Sequence, residues 1–218
     1  MWIGTQTWQD VLFLHWPIAP KILVKYIPQE LKLDIYKDNA WLSVVLFKVK
    51  GQRLRFLPPL PGISSYLQLN VRTYVEYNGR KGIYFFHLDI TNQLLVKLAT
   101  MGSLPYRYTE IFLQQGLYTS RYKTFDERLR VIYKPADNTN LVFDQWLVER
   151  YHSWAKWGNA LFRIDIQHAP WQLQQAYATI QSNTLAPFLK NTFQHTQPIA
   201  HYAKQQVAKV FLPVIEHT

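Results

Sequence analysis

The sequence predicts a mainly β (α+β) protein: a large antiparallel, barrel-like single domain over residues 1–218 with a few crossing helices. Aromatic residues fill 16% of the 218 positions, a bias that suits pleated, half-buried surfaces. Strand-patterned runs recur along the whole chain, while only three short segments read as helix. An Asn-Gly pair, Asn78-Gly79, stands between two of those runs and is the strongest short hairpin signal a sequence can carry. No linker, internal repeat or low-complexity tract divides the chain.

Taken in order, Ala19 to Tyr26 reads as a short helix, with Pro20 tolerated in its first turn. Trp41 to Phe56 is β-rich, with a turn expected at Gly51-Gln52. Pro58, Pro59 and Pro61 confine Arg55 to Gly62 to a loop. Leu67 to Tyr77 and Ile83 to Ile90 are strands. Thr91 to Met101 reads as the clearest helix, with Thr91 as N-cap and Leu94, Leu95, Leu98 and Met101 on one side. Gly102 ends it and Pro105 prevents a restart. Glu110 to Phe125 reads as two strands broken at Gln114-Gln115-Gly116. Arg128 to Tyr133, Ala160 to Gln167 and Gln175 to Gln181 are further strands. Asp144 to His152 is the third helix, capped by Asp144, and His201 to Ile215 is a strand with a competing helical pattern.

Lys and Arg number 24 against 14 Asp and Glu, giving a net charge of +10. The excess is partly local: Lys48, Lys50, Arg53, Arg55 and Arg72 lie in an acid-free stretch from Asn39 to Val75, and Arg121 to Lys134 is a second basic stretch. The alternation in Phe47-Lys48-Val49-Lys50 and Arg53-Leu54-Arg55-Phe56 reads as the wet face of strands. No zinc-finger, basic-zipper or RRM motif accompanies it, so neither a specific nucleic-acid partner nor a membrane is expected. Cysteine is absent, which excludes disulfides, thiolate metal sites and thiol nucleophiles. The first basic residue is Lys21, so there is no charged signal-peptide start. The apolar runs fall well short of the roughly 18 residues of a membrane span. A cytoplasmic protein is the expectation, and a homo-oligomer stays open.

A two-residue turn at Asn78-Gly79 pairs Tyr77 with Arg80. Regular pairing then sets Tyr74 opposite Ile83, Arg72 opposite Phe85, Asn70 opposite His87 and Gln68 opposite Asp89. One face carries Leu69, Val71, Thr73, Val75, Tyr84, Phe86, Leu88 and Ile90. The other carries Gln68, Asn70, Arg72, Tyr74, Phe85, His87 and Asp89, with Arg72 and His87 as diagonal neighbours. The polar face is either a solvated sheet surface or the lining of a cavity. In the second case Arg72 would hold a small organic anion such as a carboxylate by forked hydrogen bonds, beside His87 as acid or base. The seven histidines show no helical zinc spacing, and no phosphate loop or Gly-x-Ser-x-Gly elbow occurs. No metal and no cofactor are expected.

Several motifs carry a family resemblance: Thr7-Trp8-Gln9-Asp10-Val11-Leu12-Phe13-Leu14-His15-Trp16-Pro17, Leu57-Pro58-Pro59-Leu60-Pro61-Gly62, Leu69-Asn70-Val71-Arg72-Thr73-Tyr74-Val75, Phe85-Phe86-His87-Leu88-Asp89, Glu149-Arg150-Tyr151 and His168-Ala169-Pro170-Trp171. In order and nearly end to end, they resemble the YqjF-like uncharacterised proteins. That family is similar in fold to acetoacetate decarboxylase, a β-barrel around a polar cavity. The resemblance implies that the polar hairpin face points into a lumen.

The decarboxylase forms a Schiff base on a lysine next to a second lysine, shortly after a proline. Here the corresponding stretch is Leu104-Pro105-Tyr106-Arg107. The resemblance puts Tyr106, which cannot form an imine, in the nucleophile's place and leaves Arg107 as the neighbouring positive charge. Lys97, the nearest substitute, flanks the apolar side of its helix and reads as a snorkelling residue. Two expectations follow. One is a binding module with Arg72 as anchor and Asn70, His87, Tyr106 and Arg107 around the ligand. The alternative is an enzyme acting on a small keto or carboxylic acid, with His87 or Asp89 transferring protons and Arg72 stabilising charge.

Overall fold

The structure is a computed structural model that describes residues 1–99, 104–114, 116–189 and 193–216. The chain runs through β1 (Trp2–Ile18), β2 (Lys32–Leu33), β3 (Ala40–Leu54), β4 (Tyr66–Tyr77) and β5 (Arg80–Ile90). It continues through β6 (Tyr106–Tyr108), β7 (Glu110–Gln114), β8 (Leu117–Tyr122) and β9 (Glu127–Asn138). The last strands are β10 (His152–Trp157), β11 (Ala160–Gln167), β12 (Gln174–Asn183), β13 (Ile199–Phe211) and β14 (Val214–Glu216). Three short helices interrupt them: α1 (Pro20–Leu23), α2 (Gln93–Ala99) and α3 (Val142–Val148). The described strands all join one sheet. Its pairings close a ring, β5–β4–β3–β1–β13–β11–β10 and back to β5, and β12, β9, β8 and β7 continue from β13 as a flap. The mainly β class and the curled antiparallel architecture are as the sequence predicts.

The flap covers the outside of the ring. Leu12, Leu14 and Trp16 of β1, Leu42, Val44 and Leu46 of β3, and Leu69 and Val71 of β4 pack against Tyr118, Leu129 and Val131 of β8 and β9. The inward residues of the same strands, Val11, Phe13, Val45, Phe47 and Tyr74, form a second cluster with Leu147 of α3 and Trp171. These strands are therefore apolar on both faces, which explains why the 17-residue β1 shows no polar/apolar alternation and escapes a pattern reading.

Local details differ from expectation. Gly51 does not turn the chain; it sits at φ +60° inside β3, where the pairing with β1 slips. On α2 the cap is Asn92, whose Oδ1 accepts the Leu95 N–H at 3.0 Å, while the Thr91 hydroxyl accepts from Leu67 N–H. Leu94 and Leu98 are 54% and 53% exposed because Leu95 and Val96 take the inward side. Met101, Gly102 and Gln115 lie outside the described residues. Asp144 is not a cap but a buried residue in the first turn of α3, hydrogen-bonded by the Thr139 hydroxyl, with Leu141 at the N-cap. The segment Ile199–Phe211 is strand throughout.

The hairpin decides the site. Asn78 and Gly79 take φ +48° and +75°, as a two-residue turn requires, and the expected pairs Tyr77–Arg80, Tyr74–Ile83 and Arg72–Phe85 form. The pairing then slips by one residue at a β-bulge on Phe86. Beyond it Val71 faces His87, Asn70 faces Leu88, Leu69 faces Asp89 and Gln68 faces Ile90. One extra residue exchanges the faces of everything that follows on β5.

The ring closes through a parallel contact of β5 with β10, at Ile83–Ser153 and Tyr84–Trp154. Gly82 makes the approach feasible: a Cβ there would stand 2.3 Å from the His152 carbonyl oxygen and 2.5 Å from the Trp154 ring. Gly82→Ala is expected to lower stability by about 1–3 kcal/mol through overpacking. Urea unfolding followed by Trp fluorescence should show a lower midpoint; an unchanged midpoint would mean that this seam is not tight.

Candidate functional site

Pairing in register carries side chains across the barrel wall in rungs. His15, Ser43, Arg72 and Phe85 form one inward rung over β1, β3, β4 and β5. His201, Phe13, Val45, Asn70 and Leu88 form the next, which continues to Tyr106 on β6. These rungs and the Trp171 side chain enclose a cavity of about 120 Å³, room for a small organic molecule. Arg72, Asn70 and Tyr106, three residues singled out in the sequence, line it together.

Arg72 is 9% exposed and Asn70 is 4% exposed. The guanidinium has no carboxylate within ion-pair distance among the described residues, and its Nε and Nη2 are buried without hydrogen-bond partners. The Phe13 ring lies 5.9 Å from its Cζ, and the Tyr74 hydroxyl on the same strand also supports the charge. Burial pulls the Arg72 pKa below its ordinary range, an effect reinforced by the charge of Arg150 and opposed by Tyr74. Asn70 Oδ1 and the Trp171 indole N–H are likewise buried without partners. Burial pushes the Tyr106 phenol up to about 12, so it is a neutral hydroxyl at ordinary pH. Two other polar groups of the wall are already engaged. The Ser153 hydroxyl donates to Ile164 O at 2.9 Å, and His152 Nδ1 donates to Asp165 at 2.8 Å.

The closed end of the barrel holds a neutral histidine pair. His201 Nε2 donates to Asp144 Oδ1 at 3.2 Å, and His15 Nδ1 donates to the Tyr74 hydroxyl at 3.0 Å, which itself donates to Leu147 O at 2.8 Å. Burial, then the charges of His201 and Arg72, hold His15 well below the usual histidine range. Burial also lowers His201, against the pull of Asp144. Arg150, the other buried cation near this end, is compensated: it lies 2.6 Å from Asp34 and donates to Trp146 O.

His87, Asp89 and Arg107 are not in this cavity. The bulge turns His87 and Asp89 to the outer side of β5, and β6 alternates in step, so that Tyr106 follows Leu88 inward and Arg107 follows Asp89 outward. The shared interior expected for Arg72 and His87 does not form. There is accordingly no geometry by which His87 or Asp89 would transfer a proton to a ligand held on Arg72, or by which Arg107 would lend it charge. The three meet Glu127 of β9 instead. Arg107 is ion-paired with Asp89 and, at 2.8 Å, with Glu127, and it lies 4.0 Å from the Tyr122 ring. His87 Nδ1 donates to Asp89 at 3.0 Å, and its Nε2 accepts from Arg107 Nη2 at 3.3 Å. Every charge here has a partner, and the cluster ties the barrel to its flap.

Two motifs kept apart in the sequence meet at the cavity wall. Glu149 Oε1 accepts the Trp171 backbone N–H at 2.7 Å, and Oε2 accepts the Tyr151 hydroxyl. Trp171 then stacks on Trp8 at 6.0 Å and meets Phe13 edge-on at 5.0 Å. Glu149 is thus a positioning residue for the wall. Neither its role nor that of Trp171 follows from spacing; their presence in the two recurring motifs was the available signal. Lys97 is exposed on α2, and the described cavity wall contains no lysine.

Comparison with known proteins agrees with this architecture. The model of the DUF2071 family of uncharacterized conserved proteins matches residues 5–207. The chain belongs to that family. The protein YqjF of Bacillus subtilis (strain 168) is 40% identical over 216 residues, covering 94% of this chain and 89% of the relative. Among solved structures, an acetoacetate decarboxylase-like enzyme from Sphingomonas wittichii RW1 superposes with a TM-score of 0.70 at 10% identity, over 99% of this chain and 93% of that one. Acetoacetate decarboxylase from Legionella pneumophila gives 0.68 at 11% identity, covering 98% and 87%. The enduracididine biosynthesis enzyme MppR complexed with pyruvate gives 0.69 at 8% identity, covering 98% and 90%. At these identities the structural likeness establishes a shared fold. DUF2071 membership and the acetoacetate decarboxylase-like fold are the two findings the sequence resemblance anticipated.

The Asp89 cluster makes a pH prediction. Burial alone would raise the Asp89 carboxyl, but hydrogen bonds and charge from His87 and Arg107 hold it below its ordinary value. A depressed carboxylate adds stability above its unfolded pKa, about 3.9, and loses it as pH falls through the lower folded value. Asp89→Asn should therefore cost about 3 kcal/mol at neutral pH, and the gap to wild type should close as pH falls below about 4. Urea denaturation across that range checks it; a gap independent of pH would contradict the assignment.

Proposed function

We propose that this protein binds a small organic anion, a carboxylate, inside the barrel, with Arg72 as its anchor. The observation that carries the reading is the buried guanidinium that faces a cavity without a counterion. A buried charge lacking a partner costs stability that a compact fold ordinarily avoids. A carboxylate satisfies two guanidinium N–H groups at once, in a forked geometry. Asn70, the Trp171 indole and the Tyr106 hydroxyl stand ready to orient it. The contrast with Arg107 and Arg150, both held by carboxylates of the protein, singles out Arg72 as the cation available to a ligand. MppR, which shares the fold, is known in complex with pyruvate, itself a small carboxylate.

The reading predicts opposite effects of one substitution. Arg72→Met keeps the apolar stem and removes the uncompensated charge, so the unliganded protein should be as stable as wild type or more so. Wild type should gain thermal stability from small monocarboxylates, by about 2.7 kcal/mol at a hundredfold excess over Kd, and the variant should gain none. Differential scanning fluorimetry with a panel of carboxylates measures both. A ligand response that survives in Arg72→Met would refute the anchor.

A further inference from the structure

We infer that the anion anchored on Arg72 is the head of a fatty acid, with its alkyl tail lying along the barrel and ending in a leucine-lined mouth at the far end. This rests on the anchor reading above and adds the rest of the ligand.

The inward face of the barrel runs on beyond the Arg72 rung. Past the slip at Asp10, β1 presents Trp8 and then Gln6 inward, and pairing with β13 sets Ala208 beside Gln6 and Val210 beside Gly4. Gln6 and Val210 line the cavity, and both also line a second space of about 370 Å³. The two spaces therefore adjoin. The second is the open end of the barrel, on the same strands as the histidine pair but at their opposite ends.

Leucines build that mouth. Leu54 ends β3, Leu57, Leu60 and Ile63 come from the proline loop after it, and Leu95 and Leu98 come from α2. The loop and the helix are tied where Asn92 Nδ2 donates to Gly62 O at 2.6 Å. Leu95 also packs on the inner apolar cluster that holds Phe13 and Phe47, so apolar side chains continue from barrel to mouth. Leu54, Leu57, Leu60 and Leu98 are each about half exposed. Leucines scattered over a surface need no explanation, but leucines gathered around one hollow mark a binding surface.

Distance and polarity choose the occupant. His15 shares the Arg72 rung, and the stretch of β1 from there back to Gln6 measures roughly 25 Å with the slip allowed for. Among the described residues that line the cavity, Arg72 is the one Lys or Arg. Asn70 and Tyr106 stand in the next rung, close to the head. Toward the mouth the walls of β1 and β3 are Val11, Trp8 and Phe47, with Gln68 and Gln6 as polar exceptions. The Gln6 amide is already engaged: Oε1 accepts the Trp8 indole N–H at 2.8 Å and Nε2 donates to Gln52 Oε1 at 2.9 Å. An alkyl chain beside it forfeits neither bond. A ligand that joins the guanidinium to the leucines is thus charged once, at one end, and long and apolar beyond it.

Calorimetry on the full chain with hexanoate, octanoate, decanoate and dodecanoate tests this. Wild-type affinity should tighten roughly two- to fourfold with each added methylene. The double variant Leu60→Gln/Leu98→Gln alters two half-exposed side chains. It should weaken dodecanoate about tenfold and leave hexanoate within about twofold. Arg72→Met should weaken the whole series. Affinities that stay level from hexanoate to dodecanoate, or a double variant that binds dodecanoate as wild type does, overturn this inference and leave the Arg72 anchor standing. Sedimentation of the same proteins adds a third outcome: a double variant that turns a wild-type dimer into a monomer without losing dodecanoate gives the leucines to a second copy of the chain, and the inference falls. If none of the acids binds wild type, or Arg72→Met binds them all equally well, the anchor reading falls and this inference with it.

Discussion

Antiparallel pairing across β13, β1, β3, β4 and β5, in register except at the bulges of β1, β3 and β5, is the constraint from which the rest of the molecule follows. With a side-chain period of two, it fixes for every residue of five strands which face it occupies. Odd-numbered residues of β1 from Val11 on, odd-numbered residues of β3 and even-numbered residues of β4 point into the barrel; ahead of the slip at Asp10, the even-numbered Gln6 and Trp8 of β1 take that side. Where the flap covers the outside, neither face is wet. Polar groups there are buried with partners, as Arg150 is, or without them, as Arg72 is.

Three arginines, Arg72 and Arg150 buried and Arg107 half-buried, show the difference. Arg107 joins β6 to β5 and β9 through two carboxylates, and Arg150 joins the end of α3 to Asp34 ahead of β3. Both act as rivets between elements. Arg72 has the same chemistry and comparable burial but is surrounded by Phe13, Asn70, Ser43 and neutral histidines. Its guanidinium faces the cavity without a carboxylate partner among the described residues.

The sequence made part of this legible. Asn78-Gly79 sets the turn, and counting back from it reaches Arg72, Asn70 and their inward face correctly. The same count fails on β5 at Phe86, directly after the Arg72–Phe85 pair. Phe85-Phe86-His87 carries no glycine or other mark of a bulge, and since both faces of β5 are buried, no hydrophobic alternation reveals which residue is the extra one. His87 and Asp89 therefore fall on the other side from the one the count gives, by a single-residue slip; Arg107, singled out by the resemblance to the decarboxylase's lysine pair, follows Asp89 outward. The loss of β1 and β10 has related causes: β1 is apolar on both faces, and β10 is short and joins β5 in parallel, a partnership that no local turn announces. The Glu149–Trp171 link spans 22 residues and exists only in three dimensions.

The place of β1 between β3 and β13 has a consequence for biosynthesis. β1 is synthesised well before Ile199–Phe211, the segment that pairs with one of its two edges. Until that segment follows, a nascent sheet of β1, β3, β4 and β5 presents an unpaired edge and an aromatic inner face, the kind of surface that recruits other chains. Barrel closure is thus a late step that waits on a long-range pairing.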